Sequence, residues 1–550
     1  MRSRPARLAV ILLLVPALLL QSCVAVLHRE VTPPLRAGTV DGRSPWLKAH
    51  LADGRVYLLE RWALNSGQDS SGVERLRRHW FDTSSIVSGP GAPQGAPVAP
   101  LTLIGSGRLL DSDRALVREG AFSVPLDSVA LLETNVEAGQ MPTALKAVLI
   151  VVGGMAVALA VVCTLDPKAC FGSCPTFYAS DGRRLLLQAE GFSASVAPAL
   201  EATDLDALYR ARPAGRRFEL EMRNEALETQ AVRFARVLAA PRPEGGRVFA
   251  GGDGRFWQAL EILPPRHALA PEGECAAALR EFDEVERASA ADSTDLAARE
   301  TLDLDFGEVG GDSLGLVIAC RQSLLTTFLF YQTLAWMGRH AGDWLAALGR
   351  GDATVRARSG AIGRELGGIE VLVGRDDGGW ARAGEVSDTG PLATDVHLVR
   401  LPRLEAARPR LRLRMTRGHW RLDQVALVRL GREVEPVRLE PVEVRRGDAP
   451  DAEALAALRD PARLLATIRG ERFTLVYRLP DDPSRCELFL ESRGYYLEWM
   501  RREWLAEEDP AKAARAFLDP RGTLRALAPE FHRREAGMET VFWSSRYAQP

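Results

Sequence analysis

Pro409-Arg410-Leu411-Arg412-Leu413-Arg414-Met415-Thr416-Arg417-Gly418-His419-Trp420-Arg421-Leu422-Asp423-Gln424-Val425-Ala426-Leu427 is the stretch on which the fold turns. Arg410, Arg412 and Arg414 alternate with Leu411, Leu413 and Met415. A period of two sends the arginines to one face of a strand and the apolar side chains to the other. Gly418-His419 supplies a turn, and Trp420 to Leu427 reads as the return strand of a hairpin. The pattern is that of an antiparallel β-sandwich, jelly-roll-like in outline, over residues 351–445. Arg412, Arg414 and Trp420 are its candidate ligand contacts, because guanidinium and indole groups suit sugars and anions.

Downstream, in residues 446–550, Phe473 to Leu479 and Cys486 to Leu490 read as strands, and Tyr496 to Glu507 and Ala511 to Phe517 as helices. Tyr495, Tyr496, Trp499, Trp504, Phe531 and Trp543 make this the most aromatic region, and the helical spacing of several of them predicts core. Upstream, in residues 271–350, Gln322 to about Leu348 has the length of a helix with apolar residues around most of its circumference, which predicts burial. Gly311-Asp312-Ser313-Leu314-Gly315 carries the spelling of a nucleophile elbow. An elbow needs a helix straight after the serine, whereas Leu316 to Cys320 reads as a strand; a hairpin between Leu302 to Phe306 and that strand is expected instead.

The N-terminal third begins with an uncharged apolar run from Leu8, preceded by Arg2, Arg4 and Arg7 and ending in Leu20-Gln21-Ser22-Cys23. This resembles a bacterial lipoprotein signal: a basic start, an apolar stretch shorter than a comfortable span, and a small residue before the cut. The resemblance implies removal of residues 1–22, lipidation of Cys23 and a chain tethered to membrane lipid in the cell envelope. Residues 23–143 read as a small antiparallel β domain: a turn at Asp53-Gly54, then strands at Arg55 to Leu59, Gly105 to Leu110, Ala121 to Leu126 and Val129 to Glu133. The proline- and glycine-rich stretch 84–100 reads as a flexible loop.

Within residues 144–166, Ala147 to Leu165 is a run without a charged residue, bounded by Lys146 and Asp166. A transmembrane helix is the leading expectation; a buried or partner-facing helix and a hydrophobic hairpin turning at Gly153-Gly154 are the alternatives. A single crossing after a lipidated Cys23 would carry residues 166–550 to the other side. Lys168, Arg183 and Arg184 outnumber Lys146, which favours a cytoplasmic C-terminal portion. The exported character of residues 170–270 favours the periplasm, and the periplasmic placement is the expectation carried forward.

That exported character rests on Cys174-Pro175-Thr176-Phe177-Tyr178, the Asp181-Gly182 turn, and Asn224-Glu225-Ala226-Leu227-Glu228-Thr229. In this order they resemble an uncharacterised module of secreted bacterial proteins and lipoproteins, with similarity over roughly 170–270. The resemblance implies export and a β-rich fold and brings no catalytic residue with it. The residues themselves agree: Arg217 to Met222 alternates like a half-buried strand, and Val232 to Ala239 is another strand candidate.

A chain of 550 residues is too long for one core, and its 46% hydrophobic and 26% charged residues are those of globular protein. The fold class expected is mainly β with some α, in several domains. A net charge of -2 gives no field for polyanions, so nucleic acid is not an expected partner. Cys170 and Cys174 are spaced for a small disulfide loop. His28, His50, His79, His267, His340, His397, His419 and His532 show no metal-ligand spacing. The carboxylate pairs Asp303 with Asp305 and Asp204 with Asp206 have no evident third partner for acid–base work. No metal, cofactor or catalytic residue is therefore expected. The functional expectation is an envelope lipoprotein acting as a structural or binding module for a protein or glycan; an envelope hydrolase and an accessory subunit of an envelope transport or secretion assembly are the alternatives.

Overall fold

The computed structural model describes residues 25–546, apart from 33–36, 66–101, 112–115, 140–173, 310–312, 350–359 and some single or paired positions. Among the described residues the fold is mainly β, in five antiparallel sheets, with a helical region near the C-terminus. Four of the sheets are stacked. Sheet II takes strands 176–180, 185–190, 217–223, 443–446, 449–450 and 472–478, and sheet III takes 202–207, 228–241, 437–439, 465–468 and 486–498. Sheet IV takes 247–250, 256–263, 287–288, 314–322, 395–400 and 420–434, and sheet V takes 267–270, 273–274, 299–305, 369–374, 380–386 and 411–416.

Three apolar layers hold the stack together. Phe177, Leu220 and Tyr477 meet Val232, Val237 and Leu490 between II and III; Leu238 and Phe489 meet Val317, Leu398 and Val428 between III and IV; Ile318, Trp420 and Leu427 meet Leu302, Leu413 and Ile369 between IV and V. The inner sheets III and IV are covered on both faces, so their long strands lose the polar alternation of a wet face. Leu314–Gln322 is buried at every position.

The strands at 170–270 and those at 437–498 are woven into the same sheets. Arg217–Arg223 pairs with Arg472–Arg478, and Glu228–Pro241 pairs with Cys486–Glu498. Sequence boundaries at 270 and 445 therefore cut through sheets II and III.

Several local expectations are corrected. Leu411–Thr416 and Trp420–Val434 alternate as read, with Leu411, Leu413 and Met415 buried, but they are not a hairpin. The first pairs in sheet V and the second in sheet IV, so the turn carries the chain across the sandwich. Gly418 makes that crossing with φ +75°, and a Cβ there would collide with the Ala291 backbone. Arg299–Asp305 and Leu314–Gln322 likewise lie in facing sheets instead of pairing. The helix expected from Tyr496 is strand as far as Glu498, because the whole of Cys486–Glu498 is paired and its apolar run is covered on both faces. The helix expected from Gln322 to Leu348 is present and buried but broken: Leu325–Met337 ends at Gly338, whose φ of +58° and contact with Glu508 turn the chain into Ala341–Gly349. A C-terminal helix, Pro520–Arg546, packs Leu524, Leu527 and Phe531 against this pair.

Sheet I comprises strands 25–32, 129–139, 47–51, 56–65, 102–110 and 116–125 in that spatial order. It joins the stack through Val26 and Leu27 against Ala231 and Tyr495, and Leu58 and Leu110 against Ile468 and Trp499. At that junction Glu133 is fully buried with Arg29 at 3.2 Å, Lys48 at 2.9 Å and His50 at 3.0 Å. Its carboxylate also accepts the Met500 amide at 3.2 Å. Burial opposes ionisation of Glu133, but Lys48, Arg29 and His50 outweigh it and hold the carboxyl well below the usual range. Burial pulls the Lys48 ammonium down to about 8 despite Glu133.

Among the described residues no helix is long and apolar enough to cross a membrane. Ala147 to Leu165, stretch 84–100, Cys23 and Cys170 lie outside the described residues.

Replacing Glu133 with alanine strands two buried cations, Arg29 and Lys48, and leaves the His50 imidazole without its carboxylate, and the expected loss is about 3–5 kcal/mol in urea unfolding; a loss below about 1 kcal/mol would place the joint elsewhere. A second prediction concerns acid. His419 is 1% exposed, and burial, with Arg299 nearby, pulls its imidazole down to about 3. Between pH 6.5 and about 3 the unfolded chain binds a proton there and the folded chain does not. His419 therefore makes stability fall with acidification by about 1.4 kcal/mol per pH unit in that window. His419→Leu is expected to flatten the pH dependence of the unfolding free energy by that slope, and an unchanged slope would refute the assignment.

Candidate functional site

Where sheets III, IV and V meet at their edges they leave a cleft of about 470 Å³, within the size range of small-molecule sites. Its floor is apolar: Ala207 and Leu238 from sheet III, and Phe256, Val396 and Leu398 from sheet IV. Its rim is polar, with Thr203, Asp204, Glu385, Ser387, Asp395, His397, Arg438 and Glu491. The glycine turn at Gly251 to Gly254 closes one side and leans on the strand 395–400 through a bridge from Gly251 to Leu398.

Asp395 and His397 stand two apart on strand Asp395–Arg400, the end strand of sheet IV, and so share a face. Asp395 is 5% exposed. Its Oδ1 accepts the Ala207 amide at 2.9 Å and the Val396 amide at 2.8 Å, which staples the edge of sheet IV to the edge of sheet III. Its Oδ2 lies 3.3 Å from His397 Nε2. The carboxylate thus lies beside an imidazole whose side chain keeps 18% exposure at the cleft.

The other rim groups are braced as well. Asp204 accepts the Phe192 amide at 2.7 Å and the Leu205 amide at 2.8 Å. Glu385 accepts the Gly368 amide at 2.7 Å and pairs with Arg382. Glu491 lies 3.5 Å from Arg438 and 3.7 Å from Arg236. The result is a rigid ring of acceptors, one imidazole and one guanidinium above a greasy floor. Among the described residues no group of three or more His, Cys, Asp or Glu side chains is arranged to hold a metal ion.

The candidate contacts read from the sequence are elsewhere. Arg412 pairs with Asp303 at 2.5 Å and lies 4.2 Å from the Trp380 ring centroid, and Arg414 pairs with Glu370, all on the outer face of sheet V. Trp420 is on the opposite side of the sandwich wall, 2% exposed in the core between sheets IV and V. The three residues do not form one surface. Asp305 pairs with Arg408, so the Asp303–Asp305 face is an ion-pair ladder. Ser313 holds an amide of sheet IV, its carbonyl accepting Leu430 N–H at 2.9 Å. Cys174 is a free thiol; burial, then the Glu190 carboxylate, pushes it well up, so it is an unreactive one. What the sequence reading missed is Asp395 and His397, whose signal is an Asp-x-His spacing inside a strand.

No family model matches the chain, and no curated protein matches it. Structure and chemistry alone carry the functional reading.

The two sets of residues differ in what their loss should do. Trp420→Ala empties a large site in a closed core and is expected to cost about 3–5 kcal/mol in denaturant unfolding. Arg412→Ala and Arg414→Ala break ion pairs on an outer face and are expected to cost about 1 kcal/mol or less each. The reverse order would contradict the placement of Trp420.

Proposed function

We propose that the chain is a membrane-tethered binding module of the bacterial cell envelope whose ligand is a glycan unit held in the cleft between sheets III, IV and V. The observation that supports it is the pairing of an apolar floor, Leu238, Phe256 and Leu398, with a braced polar rim, Asp204, Glu385, His397, Arg438 and Glu491. A sugar ring has the same two-sided character: a C–H face that an apolar floor accepts, and a belt of hydroxyls that donate to carboxylates and accept from guanidinium. Preformed acceptors cost little to organise, so a small site of this kind binds without a large buried area. The tether is Cys23, two residues before the first strand.

The proximity of Asp395 and His397 also favours a second reading, hydrolysis of the bound glycan, with His397 as the proton acceptor and the Asp395 carboxylate beside it to stabilise the charged ring. Binding with no turnover separates the two.

The test is thermal unfolding of the exported chain against a panel of neutral, amino and acidic sugars and short envelope glycans, with product analysis of each mixture. A ligand at a hundredfold excess over its Kd stabilises by about 2.7 kcal/mol. At least one glycan is expected to raise Tm in the wild type, and His397→Ala and Glu491→Gln to abolish that rise without lowering the ligand-free Tm comparably. A panel without effect, or a shift that survives both substitutions, would sink the glycan cleft.

A further inference from the structure

The strand that opens the fold and the strand that closes sheet I are partners at their outer ends. Ala25 lies opposite Gly139 in the pairing of 25–32 with 129–139. Cys23 is two residues before Ala25, and two residues of chain reach no more than about 7 Å. Residues 140–173, with the uncharged run Ala147 to Leu165, begin immediately after Gly139. In the tethered reading the lipid-bearing Cys23 and the segment that carries the uncharged run therefore join the described fold at one spot.

The same spot touches the stack. The Ala25 amide donates to Ala462 at 3.1 Å, and the Ala25 carbonyl accepts from Arg233, which also donates to the Arg463 carbonyl at 3.1 Å. Arg459 and Arg463 are at the surface there, beside the exposed Asp460 and with Arg463 3.7 Å from Glu453, so the spot is ringed by charged side chains of both signs.

Sheet I and the four-sheet stack are fused by buried bonds made from both sides of residues 140–173. Asn135 donates to Thr229 at 2.7 Å, the Leu27 amide donates to the Tyr495 hydroxyl at 2.6 Å, and the Met500 amide donates to Glu133. A single membrane crossing between Gly139 and Cys174 would place the partners of each of these bonds on opposite sides of a bilayer.

We propose that the pole of the fold marked by the Ala25–Gly139 pair, with the exposed loop around Ala462, is the surface seated on a lipid bilayer, and that residues 25–139 and 174–546 lie on the same side of it. This rests on the tethered reading above and deepens it. It rules out a single bilayer crossing between Gly139 and Cys174. The opposite pole of sheet I is the turn at Asp53-Gly54, beyond the pairing of Leu51 with Val129. It is about ten residues along the strand from Gly139, or roughly 33 Å.

Single cysteines at Arg55→Cys on sheet I, Asp481→Cys on the stack and Arg463→Cys beside the pole test this in the full-length chain, against a chain carrying only its native thiols as blank. Their side chains are 46%, 90% and 43% exposed. An impermeant maleimide applied to spheroplasts is expected to label Arg55→Cys and Asp481→Cys fully, with no gain for either on lysis. Labelling of one before lysis and the other only after lysis would overturn the shared side. In vesicles of phosphatidylethanolamine and phosphatidylglycerol containing the purified lipidated chain, a lipid-confined quencher is expected to quench a fluorophore at Arg463→Cys and leave one at Arg55→Cys bright. Equal or reversed quenching would overturn the pole while the tether stands. Recovery of the wild-type chain in the soluble fraction would overturn the tethered reading itself.

Discussion

Glu133 is a carboxylate with no access to water, and the arrangement of the whole molecule depends on what surrounds it. Arg29, Lys48 and His50 come from sheet I, while the Met500 amide comes from the stack. Desolvating four ionisable groups is expensive, and the mutual attraction of the cluster offsets that cost only while its geometry is complete. Burial opposes the charged form of Glu133, Lys48 and His50 alike, yet Glu133 stays ionised because the cations are close. Such a cluster adds little net stability over apolar packing of the same volume. Its effect is to make misplacement of sheet I costly, since any slip leaves buried charge uncompensated. Lys48 also lies 4.9 Å from the Trp499 ring centroid, and Trp499 donates to the same Thr229 that receives Asn135. The joint is thus polar and specific along its length.

The stack is held differently. Its inner sheets share their apolar faces with two neighbours each, so sheets III and IV have no wet face and their registry is set by volume and by strand pairing. Polar groups also line the edges, where strands 202–207 and 395–400 end their sheets. There backbone amides of one sheet lack strand partners, and Asp395 supplies an acceptor across the gap to Ala207. The cleft results from that bracing: two sheets stapled at one point and splayed beside it leave a volume that neither can fill. Asp395 closes the seam and lies 3.3 Å from His397 at the cleft.

This explains which parts of the structure could be read from residues. Strands with one wet face announced themselves: Leu411–Thr416 and Arg217–Arg223 alternate, and both lie in outer sheets. Strands of the inner sheets did not, and Tyr496 to Glu498, covered on both sides, passes for helix by spacing. Pairing was less legible than strand identity, because a turn such as Gly418-His419 serves equally for a hairpin within one sheet and for a crossing between two. The deciding term is the partner strand, which for Leu411–Thr416 lies far back in the chain at Arg299–Asp305. The candidate site was less legible still. Arg412, Arg414 and Trp420 looked contiguous because one sequence stretch carries them, yet period two and the sheet crossing send them to an outer face and a closed core. The cleft draws its residues from 203–207, 238, 250–256, 385–387, 395–399, 438 and 491, an assembly that only the stacking creates.

The tether point and the cleft are tied together by a short run of charge-assisted hydrogen bonds. The Ala25 carbonyl accepts from Arg233; Arg233 Nε donates to Glu201 at 3.1 Å; Arg493 donates to the same Glu201 oxygen at 2.9 Å and to the Thr203 hydroxyl at 3.3 Å, and Thr203 is part of the cleft rim. Burial works against ionisation of Glu201, but Arg233 and Arg493 prevail and hold its carboxyl low. Guanidinium–carboxylate contacts of this kind fix angle as well as distance. Arg233 and Arg236, the latter contacting Glu491 of the rim, are also about three residues apart on one strand, or roughly 10 Å. In the tethered arrangement proposed above, a lipid on Cys23 retains the chain at a surface. There the network couples the first strand, Ala25–Thr32, to the rim of the cleft.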